Sequence, residues 1–188
     1  MIKLIGKSIF LIVVFLTSAC SRADVSSNVS TSDGGNVTVT GHTEGAPAGC
    51  NVEEVGQRIL DFANAFNRQD SQLVPMFFGA GVWYSGSEGE NAGGTQYTTI
   101  YLSRDLPAFF DRRYAQHEQL IFKKIQINGW ESQRNIVHFG FTVNRQADDL
   151  YDGEARDVVG KGAFHCQTQK IIVFGLEPIR ITLRLEKR

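Results

Sequence analysis

NVEEVGQRILDFANAFNRQD, residues 51–70, is the stretch whose reading decides the fold. Val52, Val55, Ile59, Phe62 and Phe66 recur at the spacing that stacks side chains on one face of a helix. Asn51 precedes the run and Glu54 lies three residues on, an arrangement close to a capping box, so the helix starts here. It should end near Asn67-Arg68-Gln69-Asp70. A shorter helix through Leu73, Val74, Phe77 and Phe78 follows and is broken at Gly79-Ala80-Gly81. Val82-Trp83-Tyr84 reads as a short strand, Ser85 to Gln96 as a glycine-rich loop and Tyr97 to Tyr101 as a brief extended piece. Ser103 then caps a third helix carrying Leu106, Phe109, Phe110 and Tyr114, with Pro107 tolerated in its first turn.

Beyond Tyr114 the period changes. Leu120 to Ile127, Asn135 to Asn144, Val158 to Gln167 and Lys170 to Leu176 read as strands. Turns are expected at Asn128-Gly129, at Ala147 to Gly153 and at Thr168-Gln169. Helices followed by an antiparallel meander make an α+β domain, here residues 50–188. Past Pro178, Ile179, Ile181, Leu183 and Leu185 alternate with polar residues. That pattern is a half-buried strand, which either closes a sheet edge or pairs with a second copy of the chain.

The other end of the chain reads as an address. Lys3 and Lys7 precede an apolar run from Ile9 to Leu16, and Leu16-Thr17-Ser18-Ala19-Cys20 places small residues before a cysteine. The run is shorter than the roughly 20 residues needed to span a bilayer, and its anatomy is that of a removable export segment. It resembles the signal of bacterial lipoproteins. The resemblance implies a signal peptide at residues 1–19, lipidation of Cys20 and attachment on the extracytoplasmic side. Ser21 after the cysteine implies the outer membrane if the host has one. Ser21 to Gly49, polar and free of aromatic residues, is expected to be a flexible tether.

Loss of residues 1–19 takes away Lys3 and Lys7, so the 19 basic residues fall to 17 against 20 acidic ones, a net charge of about −3. No basic stripe remains to neutralise phosphates, which argues against nucleic acid as a partner. With Cys20 acylated, Cys50 and Cys166 are the remaining pair, and an even remainder in an exported protein points to one disulfide. Two buried reduced cysteines are the alternative. The four histidines, His42, His117, His138 and His165, show no metal-ligand spacing, so neither metal nor cofactor is expected.

The helices, the phrase Phe62-Ala63-Asn64-Ala65-Phe66-Asn67-Arg68-Gln69-Asp70, and the stretch from Lys161-Gly162-Ala163-Phe164-His165 to Lys170-Ile171-Ile172-Val173 together resemble the NTF2-like (SnoaL-like) superfamily. The resemblance covers Cys50 to about Leu176. It implies a cone, with three N-terminal helices lying across a curved antiparallel sheet and a pocket at the wide end. Members resembling ketosteroid isomerase carry a tyrosine on the first helix, a carboxylate after the first strand and a second acid on a later strand. Those positions correspond here to Phe62, to Ser85 or Gly86, and to Lys161 or a neighbour, so that set is missing. Two readings follow. One is a lipid-anchored module that binds a small apolar ligand, or acts as an accessory surface or a dimer through its sheet, without catalysis. Phe62, Trp83, Tyr84, Phe109, Tyr114, Phe141 and Phe164 are the aromatic stock for such a pocket. The other is a lyase, isomerase or cyclase using Tyr84, His138 or His165, which requires two of these to converge in one cavity.

Overall fold

The computed structural model describes residues 24–30, 36–42, 44–47, 50–90 and 96–176. Two strands open it, β1 (Asp24–Ser30) and β2 (Asn36–His42), followed by helices α1 (Val52–Asn67) and α2 (Leu73–Phe77). Then come β3 (Phe78–Glu90), β4 (Gln96–Leu102), α3 (Leu106–Ala115), β5 (Gln119–Glu131), β6 (Ile136–Gln146), β7 (Arg156–His165) and β8 (Lys170–Leu176). They form one sheet in the order β1-β2-β5-β6-β7-β8-β3-β4. The class is α+β, as expected.

The Asn51 side chain accepts from Glu54 N at 2.8 Å and starts α1, whose buried face is Val52, Val55, Ile59, Phe62 and Phe66. Just past the last turn of α1, Gln69 takes a left-handed φ of 57°. At the end of α1, the Asn67 side chain behaves as a piece of strand. It donates to Leu120 O and accepts from Leu120 N, both at 2.9 Å, which ties the helix to the start of β5. Val137, Phe139, Phe141, Val143 and Arg145 alternate inward along β6. Gly160 on β7 is required by this packing, because a Cβ there would lie 2.1 Å from Phe141 Cζ.

Several expectations are corrected. The tether is structured over 36–42: β2 runs parallel to β5, and Val37 and Val39 are 1% and 0% exposed. Val39 seats on α1 at Gly56, where a Cβ would come within 2.6 Å of its Cγ1, and β1 pairs along the full length of β2. Valines on one face of a Ser/Thr-rich segment were enough to dock it. The sheet is mixed, since β3 pairs with β8 in parallel as well. The helices do not form one N-terminal block, because the β3–β4 hairpin separates α2 from α3 and α2 has only 5 residues. Phe78 belongs to β3, and the strands of that hairpin extend through Glu90 and from Gln96, well into the expected loop. Asn128-Gly129 is a bulge within β5; the chain turns instead at Ser132–Arg134. A second bulge at Lys123 keeps Phe122 and Ile125 on the same face. The alternating segment 179–185, the signal segment, Cys20 and any part it takes in pairing lie outside the described residues.

Candidate functional site

The space between the helices and the concave side of the sheet is where the resemblance implies a pocket. It is occupied by rings. Tyr84 stacks on Phe174 at 5.3 Å, and Phe174 stacks on Phe141 at 4.9 Å. Phe62 meets Phe174 edge-on at 5.1 Å, while Phe109 and Phe110 close on Tyr84 at 5.2 and 5.3 Å. Phe62, Tyr84, Phe109, Phe141 and Phe164 are at most 5% exposed. Each such ring pair contributes roughly 0.5–1.5 kcal/mol beyond its burial. Tyr114 is half-buried against Phe66 and Phe110, and its hydroxyl, shielded from solvent, has no hydrogen-bond partner among the described residues. Trp83 lies beside Leu102 in the β3–β4 register, and its side chain is outside the described set. The aromatic candidates that are described therefore form core. The depressions open to solvent among the described residues are lined mainly by polar side chains, one by Glu54, Gln57, Arg58, Asp61 and Gln169, another by His42, Glu44 and residues 127–130.

Beside the rings lies a charged cluster that the sequence reading did not pick out. Arg113 stands near the end of α3, and a turn through His117, at φ 50°, folds Glu118 back onto it, with Glu118 N donating to Arg113 O at 3.1 Å. Glu118 accepts from Arg113 Nε on one side and from Arg145 Nε, at 2.7 Å, on the other. The two terminal nitrogens of Arg113 grip Asp149 in a bidentate pair, 2.7 Å each. Two guanidiniums face two carboxylates, so the cluster is neutral as a whole, the condition under which such groups can be buried. Burial works against the charge on Arg113, but its bonds to Asp149 and the nearby Glu118 more than compensate and hold its pKa above the ordinary value. Arg145 is likewise raised, with Glu118 outweighing burial. Burial, then the charge of Glu118, push the Tyr84 phenol far above its usual range. It stays neutral at any physiological pH.

This cluster does not amount to acid–base machinery. A guanidinium gives up no proton, the carboxylate of Glu118 is held by two of them, and Tyr84 is a neutral phenol. The histidines are elsewhere. His138 faces outward from β6, bonded to Glu131 at 2.5 Å and 48% exposed. His165 ends β7 on the same outer face, its Nδ1 accepting from Thr168 N at 3.2 Å. Tyr84 is inside the sheet and both histidines are outside it, so these three candidates are not brought together. Cys50 and Cys166 are: their Cα atoms are 5.3 Å apart and the sulfurs are joined, linking the start of α1 to the end of β7.

No family model matches the chain, and no curated protein matches it. Solved structures do. A putative calcium/calmodulin-dependent protein kinase II association domain from Xanthomonas campestris superposes with a TM-score of 0.51 at 10% identity, over 72% of this chain and 93% of that one. A chain of the yeast complex of the deubiquitinase Ubp3 and its Bre5 cofactor gives 0.52 at 12% identity, over 67% and 95%. OCP1 of Fremyella diplosiphon gives 0.48 at 14% identity over 64% of this chain, and the chain spans only 34% of that chain's length. At these identities the likeness shows the fold, an α+β cone of the NTF2-like kind.

Proposed function

We propose that this chain is an exported, lipid-anchored protein whose NTF2-like domain acts as a non-catalytic accessory module through its surface. The observation that carries the reading is the packed interior: the rings that would line a pocket touch one another, and the buried charges are consumed by internal pairs. An isomerase or cyclase needs a base and a donor aimed at one substrate atom, and the separation of Tyr84 from His138 and His165 by the sheet itself argues against that use of them. The export half of the reading rests on residues 3–20. It is supported by the Cys50–Cys166 pairing, which suits an oxidising compartment. Two experiments test the two halves. Cys20→Ala should lose membrane attachment or leave an uncleaved precursor, and fractionation identical to the wild type would refute the anchor. Titration of the full chain with an apolar fluorescent probe should show no saturable site. A stoichiometric site would refute the closed interior.

A further inference from the structure

With β1 and β2 seated on the sheet, the distance from the anchor to the folded domain is set by few residues. Only Ser21, Arg22 and Ala23 separate Cys20 from the first residue of β1, Asp24. Four Cα–Cα steps reach at most roughly 14 Å. β1 cannot lengthen this leash cheaply, because it pairs with β2 from Asp24↔His42 to Ser30↔Asn36 and β2 is held by buried Val37 and Val39.

The start of β1 lies at a definite end of the sheet. His42, opposite Asp24, accepts from Trp130 Nε1 at 2.6 Å, and Trp130 is half-buried near the end of β5. The β5–β6 turn lies at this same end, where Ser132 Oγ donates to Gly45 O at 2.6 Å. At the other end of β5, Gln119 pairs with Gln146, and Asp148 follows with its N–H bonded to Gln116 O at 2.9 Å. A strand of 13 residues separates the two ends by about 40 Å. The leash is far shorter than that span, so it holds one end of the sheet near the anchor and leaves the other remote.

Resting on the lipoprotein reading above, we propose that the end of the sheet carrying Asp24, His42, Trp130 and the Ser132–Arg134 turn is a membrane-facing surface, held against the lipid headgroups by a leash of three residues. Trp130 marks this end of the sheet rather than anchoring it, because its indole N–H is taken up by His42 O and its ring packs partly buried against the core. The buried Arg113–Glu118–Arg145 cluster and Asp148 then point away from the membrane.

The test uses the full lipidated chain in vesicles of phosphatidylethanolamine and phosphatidylglycerol. Single cysteines are placed at Arg134→Cys, near the proposed surface, and Asp148→Cys, at the remote end; the native side chains are 76% and 62% exposed. Each is labelled with a polymer-linked maleimide too bulky to pass between protein and headgroups. Each is also made with a 30-residue Gly/Ser spacer inserted after Ser21, which adds an average reach of about 30 Å. The spacer should speed labelling at position 134 on the order of tenfold, as the surface lifts from the lipid, and leave position 148 within about twofold. Labelling at 134 that is indifferent to the spacer, or a spacer effect equal at both positions, overturns the proposal. A chain that fails to float with the vesicles refutes the anchor itself, and the inference falls with it.

Discussion

Arg145 Nε donates to Glu118 Oε1 at 2.7 Å in a site where the two side chains are 0% and 1% exposed, which makes this pair the most deeply buried ionic contact among the described residues. Its partner on the other side, Arg113, is 1% exposed. Glu118→Gln would leave two guanidiniums sharing one remaining carboxylate, Asp149. Removing one member of a buried charged set costs about 3–5 kcal/mol, because the others stay buried without compensation. Urea denaturation should show a loss of that size. A variant within about 0.5 kcal/mol of the wild type would mean that the cluster is open to water.

The docking of β2 depends on the missing side chain at Gly56. Gly56→Leu places a Cβ 2.6 Å from Val39 Cγ1. Overpacking of this kind typically costs about 1–3 kcal/mol. The loss should fall first on β2, so hydrogen exchange of the Val37 to Thr40 amides should accelerate more than that of β6. Equal acceleration across the sheet would contradict a separately seated hairpin.

Joining Cys50 to Cys166, 116 residues apart in sequence, restricts the unfolded chain and should contribute roughly 2–4 kcal/mol. Denaturing the protein without reductant should expose no reactive thiol at either position. Reductant should lower the unfolding midpoint. Two free thiols in the unreduced protein would refute the pairing.

Asp157 titrates below the ordinary aspartate value, first because Asn144 Nδ2 donates to it at 2.9 Å and next because Lys123 bonds it at 2.7 Å. A depressed folded-state pKa means that the unfolded chain binds protons more readily. The stabilisation is therefore full above the unfolded value of about 3.9 and is lost as pH falls through the lower folded one. A carbon-detected NMR titration should place the Asp157 midpoint below that of a model aspartate, and Asn144→Ala should raise it. A midpoint unchanged by Asn144→Ala would remove the assigned cause.

Much of the fold was legible because periodicity is local. The cap at Asn51, the helical face from Val52 to Phe66, and the alternation along β6 are set by neighbours a few residues apart. Strand docking is not local. Val37 and Val39 alternate over too short a stretch to distinguish a strand from a linker, and their burial depends on Gly56 and on β5. The Asn128-Gly129 bulge shows the same limit: the dipeptide permits a turn, but pairing with β6 pulls it into the strand. The charged cluster did leave a trace. Arg113 continues the Leu106, Phe109, Phe110 face of α3, and Arg145 continues the inward series Val137, Phe139, Phe141, Val143. A charge in phase with an apolar series is the signature of a buried pair, and it would have located the cluster before the structure did. That the described aromatic residues pack against one another instead of lining a cavity is a matter of three-dimensional closure, which spacing does not encode.

The central claim is that the interior is shut and the domain works from its surface. Native mass spectrometry of the protein as purified from its host, released gently from detergent where detergent is needed, tests it most directly. The mass should equal that of the polypeptide with its covalent modifications, or a whole multiple of it, with nothing else retained. A non-covalently bound apolar molecule carried at one per chain and lost on unfolding would contradict the account.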